Sequence, residues 1–346
     1  MGEVAQTLSE RGLAHIPSSY VRSPEERPDV AHDFFAHQHS IPLIDLSPAR
    51  PRAELVEEIG QACERWGFFQ VCNHGVPLEL LEQMMDVGAG FFALPAHEKQ
   101  LYACKPGIIA SEGYGHVMLV TDDQVLDWRD YFDHHTLPLS RRNPNNWPHN
   151  PPAYRQTIIE YSMHMKLLAQ RLLALISESL GLKSSYIEDA IGEPYQNVSL
   201  NYYPPCPQPE LTLGLQSHSD LGAITLLLQD DVGGLQVCID GKWLAVQPIL
   251  GALVVNLADQ IQIVSNGRYK SIEHRAVVNK RRSRISVAAF YDPSKEVVVS
   301  PASELVGVDN PAMYTDVLFG DHVSSWYQKG PKGKKVLDSL STSSDK

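Results

Sequence analysis

Apolar residues keep a helical spacing over much of the first half of the chain, and in the second half they alternate in short runs cut by Gly, Pro and Asp. The spacing predicts a short amphipathic helix over 4–13, a Pro-rich extended arm over 16–28, and a strand at 41–46. A helix over 52–65, a strand at 67–73 and a helix over 78–92 follow, with Pro77 at the start of the last, where a missing N–H is harmless. From 152 to 182 an apolar face that includes Ile158, Met165, Leu172 and Ile176 persists for several turns, predicting a long helix that buttresses a sheet.

Beyond Tyr195 the runs are β-like. Strands are predicted at 198–203, 211–218, 223–229, 235–239, 242–246, 252–256, 274–278, 283–291 and 296–299, punctuated by turns such as Asp231-Val232-Gly233-Gly234 and Asp240-Gly241. That spacing predicts a mainly β fold with flanking helices, its core a sandwich or barrel of the jelly-roll kind. There is no internal repeat and no clear linker. The expected division is a helical and strand-containing flank over 1–190 and a catalytic β core with its C-terminal segment over 191–346.

Composition narrows the function. The 346 residues suffice for a sizeable core, and a formal charge of −12 gives no footprint for nucleic-acid phosphates. Five scattered cysteines (Cys63, Cys72, Cys104, Cys206, Cys238) lack metal-like pairing and are expected to be reduced thiols. With no secretory-type leader and no run able to span a bilayer, a soluble cytoplasmic monomer acting on a small molecule is expected, without nucleic-acid or membrane partners.

The candidate chemistry lies in the β half. His218-Ser219-Asp220 and the distant His274 supply two imidazoles and a carboxylate, the donor set that binds one face of a non-haem Fe(II) and leaves the other open. Alternation in a strand turns His218 and Asp220 to one side and Ser219 away. A lone His-x-Asp is weak, since such a histidine is as readily a hydrogen-bonded group at a core edge. The joint pattern is stronger: Arg284 and Ser286, again two apart, offer a guanidinium fork and a hydroxyl to a carboxylate. Arg284 also ends the basic cluster Lys280-Arg281-Arg282-Ser283-Arg284, but the apolar run that begins after it draws it into the sheet.

The segment Asn201-Tyr202-Tyr203-Pro204-Pro205-Cys206-Pro207 extends the pattern to a family. With Ile41-Pro42-Leu43-Ile44-Asp45-Leu46, Trp66-Gly67-Phe68-Phe69-Gln70-Val71-Cys72-Asn73-His74-Gly75-Val76, Phe91-Phe92-Ala93-Leu94-Pro95 and Gly330-Pro331-Lys332-Gly333-Lys334, the chain resembles plant-type 2-oxoglutarate and Fe(II)-dependent dioxygenases over nearly its whole length. Flavone synthase I, flavanone 3-hydroxylase, flavonol synthase and anthocyanidin synthase are members. The resemblance implies a double-stranded β-helix core, iron held by His218, Asp220 and His274, and 2-oxoglutarate held by Arg284 and Ser286 with Tyr203 and Asn201 beside it. It also implies O₂ as cosubstrate, ascorbate in a supporting role, and release of succinate and CO₂.

The same resemblance puts Phe290 in the substrate cavity, in phase with Arg284, Ser286 and Ala288, and offers Tyr131 and Tyr114 as further walls. Each aromatic also suits ordinary core packing. Asp133 stands where anthocyanidin synthase carries an aromatic residue, and Ser199 where that enzyme and jasmonate-hydroxylating relatives carry a basic one. The segment Val323-Ser324-Ser325-Trp326-Tyr327-Gln328 lacks the arginines of the jasmonate-type enzymes. A buried carboxylate substrate needs such a partner, so a neutral phenolic, a flavanone first, is expected, with salicylate or jasmonate hydroxylation as the alternative. A zinc hydrolase or a non-catalytic receptor is the reading from another class; the hydrolase has no need of Arg284 and Ser286 or of the Asn201-Tyr203 pair, and a receptor need not keep all three ligands.

Overall fold

The computed structural model describes residues 4–28, 41–105, 112–115, 125–329 and 335–342. In order, its first part forms α1 (Ala5–Glu10), β1 (Leu43–Asp45), α2 (Arg52–Arg65), β2 (Phe68–Cys72), α3 (Leu78–Phe92), α4 (Ala96–Gln100), β3 (Gly113–Gly115), β4 (Asp130–Leu137) and α5 (Tyr154–Ser179). After α6 (Tyr186–Ile191) come β5 (Tyr195–Tyr203), β6 (Leu215–His218), β7 (Ile224–Gln229), β8 (Leu235–Ile239), β9 (Lys242–Ala245) and β10 (Leu253–Leu257). The chain then runs through α7 (Asp259–Val264), β11 (His274–Ala276), β12 (Arg284–Asp292), β13 (Val298–Val299), β14 (Val317–Leu318) and α8 (Phe319–Lys329).

Eight strands join in the order β1-β2-β10-β7-β12-β5-β4-β3, and four in the order β6-β11-β8-β9. The larger sheet has two distinct faces because alternate residues point opposite ways. Val198, Leu200, Leu226, Val255, Val287 and Ala289 face the helices and are buried with Ile59, Met84, Phe91, Met165 and Leu172 of α2, α3 and α5. Each large apolar side chain so buried contributes about 1.5–3 kcal/mol. The opposite phase faces the smaller sheet and carries the polar residues.

Close approach requires glycine at several places, Gly88 and Gly67 among them. A Cβ on Gly88 of α3 would stand 2.6 Å from Leu200 Cδ2, so Gly88 sets how near α3 comes to the sheet. Gly67 has φ +59°, and a Cβ there would meet the Lys270 carbonyl oxygen at 2.2 Å.

The periodicity located α2 and α3 to the residue and the long α5 to within three residues at each end. Pro77 stands one position earlier than expected, as the N-cap of α3, where its carbonyl accepts from the Leu80 and Leu81 N–H groups. The expected strand from 211 is shorter: Pro209–Leu211 forms a 3-10 turn and pairing begins at Leu215. Not anticipated as regular elements were β3, β4, α4, α6, α7 and α8. The closing motif Gly330–Lys334 lies outside the described residues. Among the described residues no helix is long and apolar enough to cross a membrane.

Candidate active site

His218 closes β6 and His274 opens β11, and the two residues are direct partners across the antiparallel ladder. Their rings lie 4.2 Å apart between centroids. Nδ1 of His218 faces the Gln216 carbonyl at 2.8 Å and Nδ1 of His274 faces the Ile272 carbonyl at 3.1 Å. A carbonyl can only accept, so each Nδ1 holds the proton and each Nε2 keeps its lone pair free for a metal. Both Nε2 atoms stand 3.6 Å from Asp220 Oδ1. Among the described residues this is the single cluster of three such ligands, with donor atoms all within 4.8 Å of one another.

Strand alternation is not what brings Asp220 to His218, because β6 ends at His218 and Asp220 lies in the turn beyond it. That turn is pinned by the Asp259 N–H donating to the Asp220 carbonyl at 2.9 Å. The other carboxylate oxygen, Oδ2, accepts from Thr225 Oγ1 and from Asn256 Nδ2 (2.7 Å), leaving Oδ1 to point between the imidazoles. Burial alone would raise the Asp220 carboxyl, but the two imidazoles and these hydrogen bonds outweigh it and hold the group below its ordinary value. Burial, followed by the neighbouring His274, takes His218 down to about 4. Both groups therefore stand in their ligating protonation states at neutral pH. Two imidazoles and a carboxylate on one side of a point suit Fe(II).

Thr225 and Asn256 escaped notice in the sequence, yet each is a polar residue interrupting an apolar strand in the inward phase. Thr225→Val should lower Fe(II) affinity roughly 10–100-fold, the usual scale for groups that orient a ligand. Metal titration of the apoprotein checks it, and unchanged affinity would mean that Asn256 alone suffices.

Next to this cluster, β12 and β5 set Arg284 opposite Tyr203 and Ser286 opposite Asn201. Arg284 is buried, with its guanidinium 5.0 Å from the Tyr203 ring centroid. Its Nη2 donates to Gln229 Oε1 at 3.1 Å and its Nη1 lies 3.4 Å from Ser286 Oγ, while Nε is buried without a partner. An orphaned guanidinium N–H beside a hydroxyl is the donor pair that a carboxylate end of 2-oxoglutarate requires. Asn201 is itself oriented, because its Oδ1 accepts from Arg129 Nη1 at 2.7 Å.

These groups share one cavity of about 190 Å³ between the two sheets. The cavity-facing phase of β12 runs Arg284, Ser286, Ala288, Phe290 and Asp292, so the wall passes from cation and hydroxyl to an aromatic ring and then to a carboxyl. Asp133 and Ser199, partners across β4 and β5, line it too, as do Trp326 and Tyr327 from α8. The base of α8 lies beside the triad, where buried His322 Nε2 is 3.5 Å from Asp259 Oδ2.

The two tyrosines proposed as walls fall elsewhere. Tyr114 pairs with Phe132 on the helix-facing phase, packs 5.8 Å from Phe91 and donates from its hydroxyl to Asp130 Oδ2 at 3.0 Å. It belongs to the core. Tyr131 shares the inward phase but lies under the Arg129 guanidinium (5.2 Å) and is not among the residues lining the cavity. Its register position, next to Asn201, puts it behind the arginine.

Comparisons agree with this chemistry. Residues 194–293 match the 2OG-Fe(II) oxygenase superfamily, and residues 41–150 match the family described as non-haem dioxygenase in morphine synthesis N-terminal. The chain is 42% identical to Jasmonate-induced oxygenase 4 of Arabidopsis thaliana, an alignment spanning 97% of this chain and 96% of that one. It is equally 42% identical to Flavanone 3-dioxygenase 2 of Oryza sativa subsp. japonica, over 97% of each. The crystal structure of JOX2 in complex with 2OG, Fe and JA superposes with a TM-score of 0.92 at 38% identity, covering 99% of this chain and 98% of that one. With relatives this similar end to end and a ligand set that fits iron, the chain belongs to the 2OG-Fe(II) oxygenase superfamily and is a dioxygenase that uses Fe(II) and 2-oxoglutarate.

Proposed function

We propose that this dioxygenase oxidises a neutral phenolic molecule, a flavanone first, by hydroxylation or desaturation, with release of succinate and CO₂. The observation that carries the reading is the lining of the cavity beyond Ser286: among the described residues Asp133, Ser199, Phe290 and Asp292 stand there, while Arg141 and Lys295, which oppose Asp292, lie outside that lining. The three arginines that do line the cavity are engaged, Arg284 with Gln229, Arg129 with Asn201, and Arg275 with Gln236 (2.8 Å) and the Trp243 ring (4.1 Å). A carboxylate substrate placed beside Asp133 and Asp292 would be buried next to two carboxyls, with the arginines of the lining already paired.

Iron bound at the triad supplies the activation of O₂ and the oxidising power that no side chain has. The protein's part is to hold 2-oxoglutarate through Arg284 and Ser286, keep the C–H to be oxidised near the triad, and exclude water. Phe290 offers a face for one ring of the substrate, two positions along β12 from Ala288. Phe290→Ala should lower kcat/KM for a flavanone roughly tenfold, the loss of one aromatic contact and its buried area, with the KM for 2-oxoglutarate little changed.

Similarity alone leaves two substrate classes, since one relative is named for a flavanone and another is solved with JA. Product analysis with a panel of flavanones, flavonols, coumarins, jasmonate and salicylate separates them. Flavanone products are expected. Exclusive turnover of jasmonate or salicylate would replace this reading with the hormone-acid one.

A further inference from the structure

The arm that precedes β1 reaches the active site through a buried ion pair. Residues 125–129 belong to no strand, and Leu126 and Asp127 among them line the cavity. The arm holds this stretch from one side: the Ser19 carbonyl accepts from the Leu126 N–H at 2.8 Å, the Tyr20 ring meets Trp128 edge-on at 5.0 Å, and buried Arg22 donates from Nη2 to Asp127 Oδ1. The connection between β5 and β6 holds it from the other. There the Trp128 backbone N–H donates to the Leu213 carbonyl at 2.8 Å and its indole N–H to the Pro204 carbonyl at 3.2 Å.

The same Asp127 oxygen also accepts the Gln216 N–H at 2.9 Å. β6 is the edge strand of the smaller sheet, so an outward N–H on it has no ladder partner and needs one from elsewhere. Asp127 supplies it. The Gln216 carbonyl, on the other side of the same Cα, is the group that faces Nδ1 of His218 at 2.8 Å. Fixing the N–H therefore restrains the carbonyl that orients a metal ligand. Burial works against the Asp127 charge, and Arg22 is the foremost influence in its favour, ahead of Arg129 and the Gln216 N–H. A buried carboxylate that loses its counter-ion is strongly unfavourable and turns toward water. That turn would take Oδ1 away from β6.

We infer that Arg22 is a positioning residue for the iron site, acting through Asp127 and the peptide groups of Gln216 to hold the His218 imidazole in its ligating orientation. The N-terminal arm is thereby part of the active-site structure, although it lies almost two hundred residues from the ligand it steadies. The inference is independent of the substrate, because the relay ends on a metal ligand. Arg22→Met should weaken Fe(II) binding about tenfold, the low end of the range for groups that orient a ligand from behind. At saturating Fe(II) the KM for 2-oxoglutarate should change little, since Arg284 and Ser286 stand on β12.

The test is calorimetric titration of the full-length apoprotein with Fe(II) in the absence of oxygen, with thermal unfolding of each sample alongside. Two double variants make it decisive. Arg22→Met with Asp127→Asn removes both charges but keeps an acceptor for the Gln216 N–H, and should bind Fe(II) nearly as the wild type does. Arg22→Met with Asp127→Leu removes both charges and the acceptor; exchange of a buried ion pair for apolar side chains of similar size is commonly tolerated, so it should fold and yet bind Fe(II) as weakly as Arg22→Met. Ser9→Ala, which deletes the bond from Ser9 Oγ to the Pro205 carbonyl (2.7 Å) and loosens the same end of the chain without touching Asp127, should leave the affinity unchanged. Wild-type affinity in the Met/Leu variant overturns the inference. Equal affinity in the two double variants overturns it as well, and so does a loss in Ser9→Ala as large as that in the Met/Leu variant. The two double variants decide even where Arg22→Met alone fails to fold.

Discussion

His274→Ala abolishes turnover, by at least about 10³-fold on the scale seen when one member of a catalytic unit is removed, and Fe(II) affinity falls with it. The reason lies in the ladder. His274 faces His218 directly, and its Nε2 and that of His218 stand at equal distance from Asp220 Oδ1. Removing it leaves one imidazole and one carboxylate, too few to hold the ion on one face. Folding survives, since His274 opens a short strand whose neighbours Arg275 and Ala276 keep their pairing to β8. Circular dichroism and metal titration of the same sample separate the two effects. Near-normal turnover in this variant would remove the triad from the account.

Arg284→Lys raises the KM for 2-oxoglutarate by roughly 10–100-fold, the loss of a charge-assisted hydrogen bond worth about 1.5–3 kcal/mol, and leaves Fe(II) binding in place. Lysine keeps the charge but offers no fork, and the orphaned Nε donor of Arg284 disappears with the guanidinium. Contact with the Tyr203 face is lost too. Ser286→Ala removes one hydroxyl from the same place, so its effect is smaller. Initial rates against 2-oxoglutarate concentration check both. Unchanged kinetics in the pair of variants would move the carboxylate clamp elsewhere in the cavity.

Much of this was legible in the sequence because period and chemistry coincide. Arg284, Ser286, Ala288 and Phe290 fall in one phase of a strand whose other phase is apolar, and the structure lines one cavity with all four. Helices α2 and α3 were equally readable, each an apolar stripe that begins just after a proline. What escaped has a physical reason. β4 reads Asp-Tyr-Phe-Asp-His-His-Thr-Leu, with polar residues in both phases, because its helix-facing side buries His134 against the Val198 carbonyl and the Tyr154 hydroxyl. No two-residue alternation survives that. Asp220 is a second case: its position depends on a turn pinned by the distant Asp259 N–H, which no local pattern announces. The Arg129–Asn201 bond and the approach of His322 on α8 to Asp259 are likewise contacts between segments far apart in the chain.

The most direct test of the account is a single turnover. The enzyme is loaded without oxygen with one equivalent each of Fe(II) and 2-oxoglutarate, naringenin is added, and the mixture is exposed to O₂. Succinate and oxidised flavanone are then quantified together. The account predicts one succinate for each flavanone oxidised, with Arg284→Lys giving little of either at this low 2-oxoglutarate concentration. Succinate formed without any flavanone product, while jasmonate in its place is oxidised one for one, would contradict it.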